Sequence, residues 1–213
     1  EIGTGATLTA AREAGIGNSS LTTGTNSSAT IGAVDFTGGS VTFGANSTST
    51  AGTVAATGAT VTLATDADLD ATTLALVNAT LALGTLATAD VTGVTLTNGH
   101  VTLDTGSSLT TTGPVTTVAA AATSDVTGAG SFVLGGAGDQ TVSVADGAAA
   151  EDFRVASLLT ATAGQNLVKT GTGRLALAPA GTGFGNGVVV RDGDVQVDTV
   201  TAAVVLDRQT GTS

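Results

Sequence analysis

The sequence contains no cysteine, methionine, tryptophan or tyrosine, and only two prolines, one histidine and six basic residues among 213. Without cysteine there is no disulfide framework and no thiolate metal site. That absence suits an exported chain that must avoid premature disulfides, and equally a reducing compartment. Five Phe are the only aromatics, so the core has to be made of stacked Val, Leu, Ile and Ala, which fits a narrow cross-section. The six basic residues face seventeen acidic ones, a net charge of −11. Such a balance repels phosphate backbones and anionic lipid, and nucleic acid is not an expected partner. No run of about eighteen apolar residues occurs, nor a basic segment followed by an apolar one, so no membrane span and no intact signal peptide are expected in this segment. A chain starting at Glu1 without Met reads as a mature or excised segment.

What is present is a repeat. Across residues 21–109 apolar positions recur every twenty residues, at Leu21, Val41, Val61, Leu81 and Val101. A second series, Val34, Val54, Leu74 and Val94, keeps the same interval and runs seven residues ahead of the next member of the first. Between the two lie Thr37-Gly38-Gly39-Ser40, Thr57-Gly58-Ala59-Thr60, Val77-Asn78-Ala79-Thr80 and Thr97-Asn98-Gly99-His100. Gly and Asn are the residues that accept positive φ in a tight bend. Strand, bend, strand and a looser return make one turn of a solenoid. The fold class is therefore all-β, a parallel β-helix (β-solenoid) of about 20 residues per coil, with roughly ten coils in this length.

Alternation assigns the faces. Val41, Val61, Leu81 and Val101 point inward with Phe43, Leu63, Leu83 and Leu103, and the residues between them point out. In the return, Leu69 and Leu109 share the interval with Ser49 and Ala89, which predicts a third strand. Residues 1–20 read as a cap or imperfect first coil, with a strand near Ala6-Thr7-Leu8-Thr9 and some helical character over 10–15. After Pro114 the register loosens. Up to residue 150 one basic residue stands against eleven acidic ones, and beyond it five stand against six. Residues 1–150 thus form regular acidic coils and 151–213 a solenoid continuation of different composition, together one elongated domain.

That continuation contains Asn166-Leu167-Val168-Lys169-Thr170-Gly171-Thr172-Gly173-Arg174-Leu175-Ala176-Leu177, a Gly-rich stretch over 181–187, and Val188-Val189-Val190-Arg191-Asp192-Gly193-Asp194-Val195-Gln196-Val197. The order and spacing over these thirty or so residues resemble the passenger-associated strand repeat of bacterial autotransporters. The sequence departs from that pattern in Gly183-Phe184-Gly185-Asn186-Gly187 and in Ala178-Pro179. The resemblance implies a right-handed parallel β-helix displayed outside a bacterial cell, in which the repeat favours folding or secretion.

Candidate chemistry is sparse. His100, with Thr102 and Asp104 on its face, is the only imidazole available to a Ser-His-Asp type hydrolase. Asp66, Asp68 and Asp70 alternate along one strand and so project together, as calcium ligands, as paired carboxylates of a carbohydrate-active enzyme, or as a charged face that blocks lateral aggregation. Gly135-Gly136-Ala137-Gly138-Asp139-Gln140 is a near miss to a calcium-binding nonapeptide, with Gln140 where Asp is needed. Asn18, Asn26, Asn46 and Asn78 head Asn-x-Ser/Thr triplets but belong in turns on other grounds. Outward Ser40, Thr42, Thr60 and Thr62 resemble the Thr arrays of ice-binding solenoids, interrupted by Ala82 and His100. Sugar-acting helices present aromatic and basic residues that this chain lacks, so no catalytic residues and no cofactor other than possible calcium are expected. The sequence points to a structural or adhesive segment of a bacterial surface protein. Surface-layer or filament subunit, ice binder and carbohydrate-active enzyme are the alternatives. Partners would be a host or neighbouring-cell surface, through the irregular segments 115–125 and 145–152, or a second copy end to end.

Overall fold

β-Branched residues in alternation favour extended backbone, and here every such run lies beside its counterpart one coil away. The computed structural model describes residues 1–178, 182–183, 187–198 and 206–208. Pro179, Gly181, Phe184, Gly185 and Asn186, singled out above, lie outside the described residues. The described chain is all-β and its paired strands are parallel. One nine-stranded sheet stacks Ser20–Thr22, Ser40–Phe43, Thr60–Leu63, Thr80–Leu83, His100–Leu103, Ser124–Gly128, Phe153–Val155, Arg174–Leu177 and Asp194–Val197, one strand per coil. The chain is thus a parallel β-solenoid, and the sheets run without interruption past residue 150.

In the regular coils the return is a four-residue corner followed by one ten-residue strand: Ser28–Thr37, Thr48–Thr57, Asp68–Val77 and Thr88–Thr97 pair in register at twenty-residue offsets. The ladder skips Gly52, Thr72 and Thr92, and two successive residues face outward there, as at Thr72 and Thr73. The alternation changes phase at this point, so each ten-residue strand turns a corner and supplies two faces. Three faces enclose the core.

The predicted inward series are all buried, from Val41 to Leu103 on the first face and from Val34 to Val94 on the third. Ser49, Leu69, Ala89 and Leu109 fill the second. Volume is balanced within a coil: Phe43 shares its layer with Ser49, Ala51 and Ala56, whereas Leu63 meets Leu69 and Leu76. A core one layer thick has nowhere to shift an extra methylene, which is why large and small residues offset each other.

The bends are as predicted, with positive φ at Gly38, Gly58, Asn78 and Asn98. A second left-handed column was not foreseen: Asn26, Asn46, Asp66, Leu86 and Gly106 have φ of 55°, 53°, 55°, 61° and 73°. Asn26, Asn46 and Asn78 hold their places in these corners by that conformation. Leu86 is the misfit, 55% exposed and without the short polar side chain that eases this geometry. Leu86→Asn is expected to raise stability by about 1 kcal/mol, read as a higher urea midpoint at unchanged m-value.

One expectation is corrected: residues 10–15 have no helical character, because Glu13–Ile16 pairs with 34–37 and completes a first coil. After Pro114 the twenty-residue register loosens as expected: Val94 pairs with Val115, Val101 with Val126 and Val126 with Val155, offsets of 21, 25 and 29, before Leu177 and Val197 restore 20. The faces continue through the enlarged coils, with Val115–Thr117 on the third face beside 94–96.

Candidate functional site

The three aspartates do not form a row. Asp66 occupies the left-handed corner ahead of the strand Asp68–Val77, so only Asp68 and Asp70 share an outward face. The single-strand trio expected for calcium is not assembled, and among the described residues no three His, Cys, Asp or Glu gather to hold a metal ion. Asp68 Oδ1 instead accepts the Thr88 hydroxyl at 2.6 Å. Asp70 stands in register with Asp90 on the next coil, in a shallow open cleft with Thr50, Thr72, Thr92 and Thr112.

Partial burial, then the charges of Asp68 and Asp90, raise the Asp70 pKa above its ordinary 3.8. A raised folded-state pKa means that the folded chain holds this proton more tightly than the unfolded chain. The associated stability is present in full below pH 3.8 and is lost as pH rises through the folded value. Asp70→Asn is therefore expected to be more stable than the parent at pH 7, by about 0.5 kcal/mol after solvent screening. The two should converge in acid, and a constant difference from pH 3 to 7 would refute this assignment.

His100 pairs across coils with Asp125, Nδ1 to Oδ2 at 3.1 Å, not with Asp104. The Asp104 carboxylate accepts Thr85 Oγ1 at 3.0 Å and its neighbour Thr105 N at 2.7 Å. Thr80, His100 and Asp125 follow one another in register, which gives hydroxyl, imidazole and carboxylate in one column. The column lies on a sheet face where the backbone amides serve the ladder, as His100 N does to Ala79 O at 2.9 Å. Stabilising a developing oxyanion needs donors free to point at it, and these amides are engaged. The outward Thr column next to it comprises Thr22, Thr42, Thr62, Thr102 and Thr127, broken by Ala82.

The glycine-rich nonapeptide-like stretch is likewise committed to structure. Gln140 is 5% exposed and its amide donates to Gly138 O at 2.7 Å. Asp139 Oδ1 accepts both Asn166 N and its Nδ2, at 2.9 and 3.0 Å. Gln165 on the following coil donates to Gly136 O at 2.6 Å. The position where calcium coordination needs a carboxylate thus holds an inward amide that closes a corner.

The enlarged coils bring together what the sequence leaves apart. Segments 118–123 and 145–152 both bulge between the third and first faces, one directly above the other, with Ala148 N donating to Ala120 O at 3.0 Å and Thr123 Oγ1 to Glu151 O at 2.7 Å. Asp152, 8% exposed, fastens the stack: its carboxylate accepts Gly147 N at 2.7 Å and Arg174 N at 2.8 Å. The resulting ledge exposes Val118, Ala119, Ala121, Ala122, Ala148 and Ala150, beside Asp146, Glu151 and Arg154.

Lys169 is the residue the sequence reading missed. It is the only lysine in the chain and is fully buried, at 0% exposure. It pairs with Val142 in the column that begins Val34, Val54, Leu74, Val94 and Val115. Its Nζ donates to Thr170 O at 2.8 Å, to Gly171 O, and to Asp192 O on the next coil at 3.0 Å. Burial lowers its pKa from the ordinary 10.5, and Asp192, Asp152 and Asp194 oppose that. The legible signal was alternation with Leu167, which assigns Lys169 to the core side.

Compared with known protein families, curated proteins and solved structures, the chain matches none.

Proposed function

We propose that this chain is a non-enzymatic, extracellular segment of a bacterial surface protein, an autotransporter-like stalk that carries an adhesive ledge. One observation supports it most: parallel ladders join successive coils on three faces, while the side chains that depart from the repeat collect at the corner built by 118–123 and 145–152. A stack in which each coil is hydrogen-bonded to its neighbours resists bending without disulfides, and loops that interrupt a rigid scaffold are where recognition concentrates. The sequence resemblance over 166–197 points the same way.

Antibodies raised against the purified chain are expected to label intact cells of the source bacterium, and labelling only after permeabilisation would overturn the surface assignment. For adhesion, beads coated with the chain should bind host or neighbouring cells, and replacing 118–123 and 145–152 by short Asn-Gly corners should abolish binding while the circular dichroism spectrum stays β. Equal binding by the trimmed chain would leave a plain stalk.

A filament or surface-layer unit is the second reading, since coil joins coil through parallel strand pairing, and strand edges of that kind template the addition of further strands. Cryo-electron microscopy of native material separates the two, since ordered arrays support the filament and isolated rods the stalk.

A further inference from the structure

A buried ammonium is costly unless its hydrogen-bonding capacity is filled. Lys169 enters the core from a position that Val occupies on five of the six preceding coils and Leu on the other, yet its three protons meet three carbonyl oxygens. Two of these, Thr170 O and Gly171 O, belong to the corner that follows Lys169, and the third, Asp192 O, belongs to the same corner one coil later. Both corners depend on glycine at positive φ, Gly171 at 75° and Gly193 at 70°. A Cβ at Gly193 would come within 2.5 Å of Gly171 O and 2.9 Å of Lys169 Nζ, so the glycine is what lets the second corner settle over the first. The Asp192 carboxylate caps its own turn by accepting Gly193 N at 2.9 Å, which leaves its backbone oxygen free to face inward. The charges around the ammonium are Asp192 and Asp194 from the later coil, and Asp152 and Arg174 from the corner beside it; Arg191 lies next to Asp192.

We infer that the two corners form a backbone-carbonyl cage for a monovalent cation, permanently filled by the Lys169 ammonium, and that this internal cation fastens the last described coils to the stack. Elsewhere among the described residues successive coils are held by ladders and apolar contacts, spread along whole strands, and by side-chain bonds such as Gln165 Nε2 to Gly136 O and Arg174 N to the Asp152 carboxylate. Here the fastening is concentrated at one point. Without a cation, three inward carbonyls lose their partners at once, and each such loss is expensive in a buried site. The coils that depend on the cage should then open while the regular coils stay closed.

Amide hydrogen exchange on the full chain tests this with Lys169→Met and Lys169→Ala. For Lys169→Met the expected result is about a hundredfold loss of protection over 166–177 and 187–197, with protection across 48–111 unchanged. In Lys169→Ala, potassium or ammonium chloride should restore part of that protection, and tetramethylammonium chloride, whose cation is too large for the cage, should not. Unchanged protection in Lys169→Met, a loss spread evenly over all coils, or equal restoration by tetramethylammonium would each overturn the inference. Should neither variant fold, the parent chain supplies the test. Reductive methylation of its single lysine is expected to proceed at least about a hundredfold more slowly in the folded protein than in denaturant, and a rate equal to that of a free side-chain amine would refute the buried cage.

Discussion

Excision of residues 64–83 is expected to leave a folded rod one coil shorter, whereas excision of 64–73 is expected to abolish folding. The first removes one full period. Leu63 then takes the place of Leu83 and Val61 that of Leu81, and the strand Thr48–Thr57 meets Thr88–Thr97 in the register that both already use with Asp68–Val77. The chief loss is Leu69, whose removal sets Ser49 beside Ala89 and leaves a hole; burial of that kind is worth about 2–5 kcal/mol. The rod should shorten by about 4.8 Å. The shorter excision removes half a period, so every later residue arrives ten positions early. Asp104 would stand where Val94 packs and Gly106 where Leu96 packs, and a charge in a one-layer core cannot be accommodated. Circular dichroism, urea melts and small-angle scattering on the two variants decide the matter. Equal tolerance of both would mean that the repeat does not set the register.

The second large effect concerns two glycines that look alike in the sequence. Gly39 and Gly58 both follow a strand of the third face and both have positive φ, 74° and 59°. Alanine at Gly58 meets nothing within 4 Å, and the cost is the left-handed strain alone, about 1–2 kcal/mol. Alanine at Gly39 would place Cβ 2.0 Å from the Ser19 carbonyl oxygen and 2.9 Å from its nitrogen. That oxygen is backbone and accepts Ser40 N at 3.0 Å, so it cannot retreat without parting the two coils. Gly39→Ala should therefore lose about 4 kcal/mol or more, with exposure concentrated in the first coil. Similar urea midpoints for the two variants would show that coil spacing at this corner yields more easily than the ladder suggests.

Much of this architecture could be read from one dimension. The twenty-residue interval, the inward series on the first and third faces, the Gly and Asn bends and the third strand through Leu69 and Leu109 all follow from alternation and spacing. In a solenoid each residue's principal neighbour is the equivalent residue of the next coil, so local pattern and tertiary contact carry the same information. The reading failed where the contact is not between equivalents. Asp66 looked like part of an alternating row because sequence alone does not show that the bend column at Asn26 and Asn46 passes through it. His100 was matched with Asp104 on its own strand, while its partner is Asp125, which the enlarged coil brings one layer away.

Periodicity by itself determined the solenoid, its pitch in residues and its apolar interior, because a thin core repeats the same steric requirement at every coil and the sequence repeats the answer. Only the tertiary structure decided that 118–123 and 145–152 share one ledge, that Asp152 ties it down, that Gly39 is crowded and Gly58 is not, and that the ammonium of the lone lysine meets the carbonyls of two stacked corners. Each of these depends on where an irregular segment falls against the coil beside it. That placement comes from chain closure over 20 to 29 residues, and no interval in the sequence records it.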